Sequence, residues 1–307
     1  MGRVKDLPTG NPSKEAFLLY DSESNGTKKV PIADLALAAL KTSNHNAAGF
    51  HNSIYRGVNL KTHWGLSTDA AVVNKVVENI QNGTFEDLFI GDYFNVSMTT
   101  SFGGTENVVC VIAGFDIYLN CGDGDNYLKQ HHAIIVPRDC FATTSQMNTS
   151  DTSSGGYHGC KLRNDVLPVY ATALKSAFNN HIIRHRELLS KTVNTNIVSG
   201  GYGGWTGASS EWDWYDSDIE LMSECEVYGA TINSSSRFDT GIAKTQLPLF
   251  RLNPAMIQAN KTGGSRQWYW LKDVAYSRGF CVVSYDGSAG SGWATDSSGV
   301  RPRFLIG

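Results

Sequence analysis

The chain has 307 residues and a net charge of −3, from 26 Lys and Arg against 29 Asp and Glu. Its basic residues are scattered rather than gathered into a stripe, which argues against nucleic acid and anionic membrane as partners, and no apolar run approaches the ~20 residues of a membrane span. With 31 glycines and 11% aromatic residues, the composition favours a loop-rich, β-leaning protein over a helical one.

The first residues, Met1 to Asp6, lead into no apolar segment of the secretory type, and Leu7 stands where a myristoylation signal at Gly2 wants Ser or Thr. The expectation is synthesis in a reducing cytosol. The six cysteines, Cys110, Cys121, Cys140, Cys160, Cys225 and Cys281, then read mostly as buried free thiols; they contain no CxxC pair and do not resemble a zinc site.

Ala16–Tyr20 reads as a short strand, Asp21–Gly26 as a turn signalled by Asn25 and Gly26, and Thr27–Val30 as the returning strand. Pro31 suits the first turn of a helix whose narrow apolar stripe is Ile32, Leu35, Ala36, Ala39 and Leu40. Residues 1–45 are too short to bury a core alone, so they read as an arm and linker that docks on another chain. Folding back on the main domain is the other option. The stripe suits packing against its own copies around a threefold axis, hence a homotrimer.

Residues 41–53 read as a linker and 46–307 as the main domain. Ser67 or Thr68 caps a helix that turns Val73, Val76, Val77 and Ile80 to one side and ends at Gly83. Asn107–Ala113 and Ala133–Pro137 read as buried strands, the second stopped by its proline. A second helix starts near Asn164 and Asp165, with Pro168 early in it, and runs through Ala173 to Phe178. Residues 199–217, rich in Gly, Ser, Trp and Asp, read as a loop. Leu221–Gly229 and Gln246–Phe250 are short structured pieces, and Phe280–Val283 is a strand between loops. The fold class is α+β, with short strands and two or more helices.

Candidate chemistry is sparse. Asp123, Asp125 and Asn126 offer oxygen ligands at calcium-loop spacing, but Ile134 stands where the closing Glu belongs, so an acidic turn is the reading. His131 and His132 precede a strand and point to opposite faces, so they cannot share one ion. His181 and His185 have zinc-compatible spacing for a helix but no third ligand. Ser223, Glu224 and Glu226 lie in a strand or turn without a nucleophile elbow. No catalytic residue, metal or cofactor is expected. What remains is recognition: Tyr276, Arg278, Tyr285, Asp286 and Trp293 sit in the loops of the closing segment 264–307, where aromatic rings and directional polar groups are set among Ser and Gly. Trp268, Trp270, Phe304 and Ile306 are assigned to the core, and Arg301 to buried hydrogen bonding.

Over residues 54–307 the ordered blocks GTFEDLFIGDYF, IAGFDIYLNCGD, HHAIIVPRD, MNTSDTSSGGY, ELMSECEVYG, QLPLF, YWLKDV and GVRPRFLIG resemble a family of Firmicutes phage and prophage proteins. Their C-terminal part ends in a WLRS…VRPAF-type signature, similar to C-type-lectin-like domains, including those of formylglycine-generating enzymes and of phage tropism determinants. Residues 1–40 more loosely resemble the leaders of phage fibre proteins. The resemblance implies a C-type-lectin-like main domain behind a virion-anchoring arm. It implies a fibre or receptor-binding protein made in the host bacterial cytoplasm and carried on the virion, where it meets a host-surface glycan or protein. The alternative is a capsid-decorating or architectural subunit that binds only other virion proteins. Neither nucleic acid nor membrane insertion is expected. Lys272 replaces the usual Arg of the pattern, Arg303 stands where Ala is common, and residues 202–216 read as an insertion. Cys225 and Cys281 lie in neighbourhoods unlike the reactive pair of the formylglycine enzymes, so that activity is not carried over.

Overall fold

Thr68 and the valines after it settle the first long helix. The Thr68 hydroxyl accepts from the Ala71 amide at 3.2 Å, and Val72, Val73, Val76, Val77 and Ile80 form the buried side of Asp69–Gln81. Gly83 follows at φ +70°, a conformation that glycine adopts at no steric cost. The computed structural model describes residues 47–201, 203–261 and 264–307, and the backbone of 16–21 and 26–31.

The chain divides into two compact units, Met1–Phe50 and His51–Gly307. In the first, β1 (Ala16–Asp21) and β2 (Gly26–Pro31) form an antiparallel hairpin. Pro31 ends β2 opposite Ala16, and the helix expected after it, with the stripe Ile32–Leu40, lies outside the described residues. Helix α1 (Ala47–His51) occupies part of the stretch expected to be a linker.

The second unit carries α2 (Leu60–His63), α3 (Asp69–Gln81), β3 (Tyr93–Thr100), β4 (Gly104–Phe115) and β5 (Ala133–Pro137). A π-helical turn, Leu162–Val166, leads into α4 (Leu167–Ala177), with Pro168 in its first turn as expected. Next come β6 (His185–Val198), β7 (Thr206–Ser217), β8 (Ile219–Leu221), α5 (Glu224–Tyr228) and α6 (Pro248–Leu252). A two-residue ribbon, β9 (Ala259–Asn260) and β10 (Arg266–Gln267), precedes β11 (Tyr269–Tyr276), β12 (Gly279–Val283), β13 (Ala289–Trp293) and β14 (Pro302–Ile306). The architecture is mixed α/β, with several small sheets and few helices. Among the described residues no helix is long and apolar enough to cross a membrane.

The largest sheet has the order β3-β4-β5-β14-β8, antiparallel throughout. The closing strand β14 lies between β5 and β8, pairing Phe304 with Ile135 on one side and with Ile219 on the other. Every residue of β14 is buried. Pro302, as its first residue, costs no ladder bond of the strand interior. Helix α4 packs on β3, and Phe178 just past its end meets Phe94 and Phe304 edge to face. The second sheet is the meander β11-β12-β13.

Residues 199–217 are a loop only before Thr206. Thr206–Ser217 pairs with β6 as a long hairpin, from His185 opposite Ser217 to Val198 opposite Thr206. Gly and Ser signalled a turn, but Trp212 and Trp214 alternate with Glu211 and Asp213, the two-residue period of a strand. His185 accordingly lies on β6 and not on a helix with His181, which removes the zinc-compatible spacing. Ser223, Glu224 and Glu226 open helix α5 instead of lying in a strand: the Ser223 hydroxyl accepts from the Glu226 amide, and Glu226 reaches back to the Ser223 amide.

Candidate recognition surface

Lys272 and Arg303, the two departures from the resembled pattern, meet on one carboxylate, Glu187 of β6. Arg303 Nη2 lies 2.5 Å from Glu187 Oε1, and Lys272 Nζ lies 3.3 Å from Glu187 Oε2. Arg303 Nε also donates to Glu226 at 2.9 Å, and the Tyr118 hydroxyl donates to the same carboxylate. The guanidinium sits 4.7 Å from the centre of the Tyr118 ring, and His185 Nε2 lies 2.8 Å from Glu187. All these side chains are buried. Burial opposes the charge on Glu187, but Arg303 and Lys272 outweigh it and hold its carboxyl well below the ordinary range. Burial likewise opposes the charge on Lys272, and Glu187 and Glu226 overcome it. Two cations and two carboxylates thus neutralise each other inside the fold and tie β6, α5, β11 and β14 together.

The neighbouring acids behave differently. Burial pushes Asp273 well above the carboxylate range, and Glu224 and Asp239 push it further. Its Oδ2 accepts from the Glu224 amide at 2.8 Å. Burial raises Asp239 to about 6, although it accepts from Trp212 Nε1 at 2.6 Å and from the Ser209 hydroxyl at 2.7 Å.

One end of the meander is a surface. Tyr276 on β11 stands opposite Gly279 on β12, and Gly279 stands opposite Trp293 on β13. The Tyr276 ring fills the space beside Gly279, where a Cβ would come within 2.7 Å of it. On the outer side of β11 the Ser277 amide donates to Thr206 O at 2.9 Å, which docks β7 there. Gly207 makes that approach possible: its φ is +104°, and a Cβ would fall 2.3 Å from the Ser277 nitrogen. Docking brings Trp205 onto Tyr276, with ring centres 4.6 Å apart. Across the row Arg278 stacks on Trp293 at 5.0 Å and pairs with Asp151 at 3.1 Å. Trp205 is 39% exposed and Trp293 46% exposed. Trp205, stacked on Tyr276, and Trp293, stacked under Arg278, are both partly exposed at this end of the meander.

The five residues expected to bind ligand do not form one site. Arg278 and Trp293 meet as described. Tyr285 and Asp286 lie in the β12–β13 turn, at the other end of a five-residue strand and so ~16 Å away. There Asp286 accepts from the Ser288 amide at 3.0 Å and hydroxyl at 2.7 Å, and Tyr285 faces Trp268 at 6.1 Å. Tyr276 is buried rather than displayed, because Trp205 covers it and it occupies the space that Gly279 leaves. Trp268 is 39% exposed and does not belong to the core, whereas Trp270, Phe304 and Ile306 do. Trp205 is not one of those five; it lies in the Trp-rich stretch 202–216, the other place the sequence offers for a recognition surface, and the alternation at Trp212 and Trp214 is the signal there for a strand.

The remaining candidates are structural. Arg301 is buried and donates to the carbonyls of Pro137, Ile257 and Met256 at 2.9, 3.1 and 3.0 Å. His132 accepts from the Tyr118 amide at 3.1 Å, and burial lowers its pKa to about 4. Asp123 is held by Arg186 at 2.6 Å. All six cysteines are free thiols, five of them buried. Among the described residues no three His, Cys, Asp or Glu side chains are placed to hold one metal ion.

Residues 131–307 match the family model of a domain of unknown function (DUF6273). No curated protein matches the chain, and no solved structure does.

Proposed function

The chain belongs to the DUF6273 family, and from that premise we propose that it is a non-enzymatic recognition protein, a phage fibre or receptor-binding subunit with a C-type-lectin-like head. The observation that carries this reading is the row of Trp205, Arg278 and Trp293, open to solvent on a frame of paired strands. Exposed aromatics beside a guanidinium offer rigid contact area with directional hydrogen bonds, and leaving them idle in water is unfavourable. The buried Lys, Arg and Glu groups are occupied with one another, which supports a structural role for them. In this reading the arm of residues 1–45 anchors a homotrimer to the virion, and the head meets a glycan or protein on the host surface. A single shallow site of this kind often reaches only ~mM affinity, and three linked copies raise avidity by ~10²–10⁴.

Exposed Ile197, Val198, Ile232 and Phe238 favour a second reading, in which the head packs on other virion proteins. The test is the triple variant Trp205→Ala, Arg278→Ala, Trp293→Ala, with labelled protein titrated onto Firmicutes cells and onto a glycan array. Lost binding with an unchanged melting temperature supports the first reading. Normal binding by the triple variant places the contact elsewhere, and wild-type protein that binds neither cells nor glycans favours the second.

A further inference from the structure

We propose that the open edge of β4, at Thr105 and Asn107, takes an extended peptide from a partner polypeptide as an added strand. β4 spans twelve residues and its neighbour β5 only five. Their ladder runs from Phe115 opposite Ala133 to Cys110 opposite Pro137, and its last bond is from the Arg138 amide to Val109 O at 2.8 Å. Beyond that point the chain leaves the lane. The Cys140 amide turns to Asn260 O at 2.9 Å, and the Ala142 amide to the Glu106 carboxylate at 2.9 Å.

In an antiparallel ladder the amide and carbonyl of one residue point to the same side, and the side alternates along the strand. The Ile112 amide donates to Asp92 on the β3 side, whereas Val109 accepts on the β5 side. The β3–β4 register is unbroken from Tyr93 opposite Val111 to Thr100 opposite Gly104. Asn107 and Thr105 therefore present both backbone groups to the vacated lane. No hydrogen bond joins those groups to any described residue.

The lane holds two adjoining hollows, of about 180 and 380 Å³, which share Glu106 and Asn107. Val108, Cys140 and Phe141 line the first together with Asp139, Asn260 and Lys261, and Ala142 and Phe102, itself 43% exposed, line the second together with Thr100 and Thr143. Proteins guard an open edge with lysine, proline, a bulge or a very short strand. Gly104–Val109 has none of these, and its one charge, Glu106, is tied to Ala142. The occupant follows from the lane itself. Polypeptide already fills it as β5, so alternating backbone donors and acceptors are what it recognises. Val108, Phe141 and Phe102 on the walls and solvent on the other side call for a segment that alternates apolar and polar residues.

The probe is an array of short synthetic peptides in two sets, one alternating and one with the same residues in blocks. The full chain should hold the alternating set selectively. Asn107→Pro removes an outward amide without touching the β3 ladder, and should weaken binding about tenfold or more. Asn107→Ala keeps the amide and should bind as wild type. Bound peptide should also slow amide exchange at Thr105 and Asn107 in the wild-type protein, a readout that stands even if the proline variant fails to fold. Equal retention of both sets, equal loss in the two variants, or unchanged exchange at both amides overturns the proposal. So does self-association through this edge, abolished by Asn107→Pro while peptides are ignored, because the occupant is then a second copy.

Discussion

Arg303→Ala strands two carboxylates in the interior. The side chain is fully buried and lies 2.5 Å from Glu187 and 2.9 Å from Glu226. Its loss leaves both acids facing one cation, Lys272, at 3.3 and 3.9 Å. Removing one partner of a buried ion pair costs ~3–5 kcal/mol, because the other charge stays desolvated. In a unit of this size each kcal/mol moves the melting temperature by ~2–4 °C, so a drop of ~6–20 °C is expected in thermal melts at pH 7. Adding Glu187→Gln restores the balance of Glu226 against Lys272 and should recover ~1–2 kcal/mol of the loss.

The pH dependence supplies a further check. Glu187 is depressed in the folded protein, so its stabilising contribution is present above the unfolded carboxylate pKa of ~4.3 and is lost as pH falls through the lower folded value. In Arg303→Ala burial prevails, and a stranded carboxylate takes up a proton as the solution is acidified. The gap between wild type and variant is therefore widest near neutrality and narrows below pH ~4. A variant that melts within ~2 °C of wild type at pH 7, or a second substitution that only adds to the damage, refutes the account.

Two further outcomes follow from the hairpin. Asp239 has a folded pKa of about 6, above its unfolded value of ~3.9, so the folded state holds its proton more tightly and this group's contribution falls as pH rises from ~4 to ~6. Urea titrations of wild type and Asp239→Asn should diverge by ~2–3 kcal/mol between pH 4 and 7, and parallel profiles would sink the assignment. Gly207→Ala combines a left-handed φ with a Cβ 2.3 Å from the Ser277 nitrogen, and should destabilise by more than ~2 kcal/mol while changing tryptophan fluorescence as Trp205 loses Tyr276. A loss under ~0.5 kcal/mol would mean that β7 does not depend on this approach.

Where structure follows from local signals, the sequence was legible. Thr68 with its valines marked α3, Pro168 lies early in α4 as expected although the start expected near Asn164 and Asp165 is a π-helical turn, and the apolar run Ala133–Pro137 matches β5 to the residue. Pairing over long distances was not legible. The composition of 199–217 spoke for turns, while its role is set by β6 and by a close approach to Ser277 some seventy residues later. The same distance hid the fate of Tyr276, which is covered by Trp205 from another part of the chain. The ion network left one clue. Arg303 lies in a tail otherwise apolar from Phe304 to Ile306, and a cation in such a strand is stable only with partners. Which acids answered it, Glu187 and Glu226, no spacing revealed.

β6 joins the two halves of this picture. Its first residues carry His185 and Glu187 into the buried network, and its far end at Val198 pairs with Thr206, beside Trp205. The exposed indole is thus the end of a lever whose base is fixed by two cations. A binding surface held in place before its ligand arrives loses less conformational freedom on contact, which is where a shallow site gains affinity. In the proposed reading the network would bear on recognition without touching ligand: loosening Glu187 would free the hairpin, and a freed hairpin would let Trp205 leave Tyr276. Glu187 stands on the strand that pairs with Thr206–Ser217, so Lys272 and Arg303 and the stretch that the resemblance marks as an insertion are joined through β6.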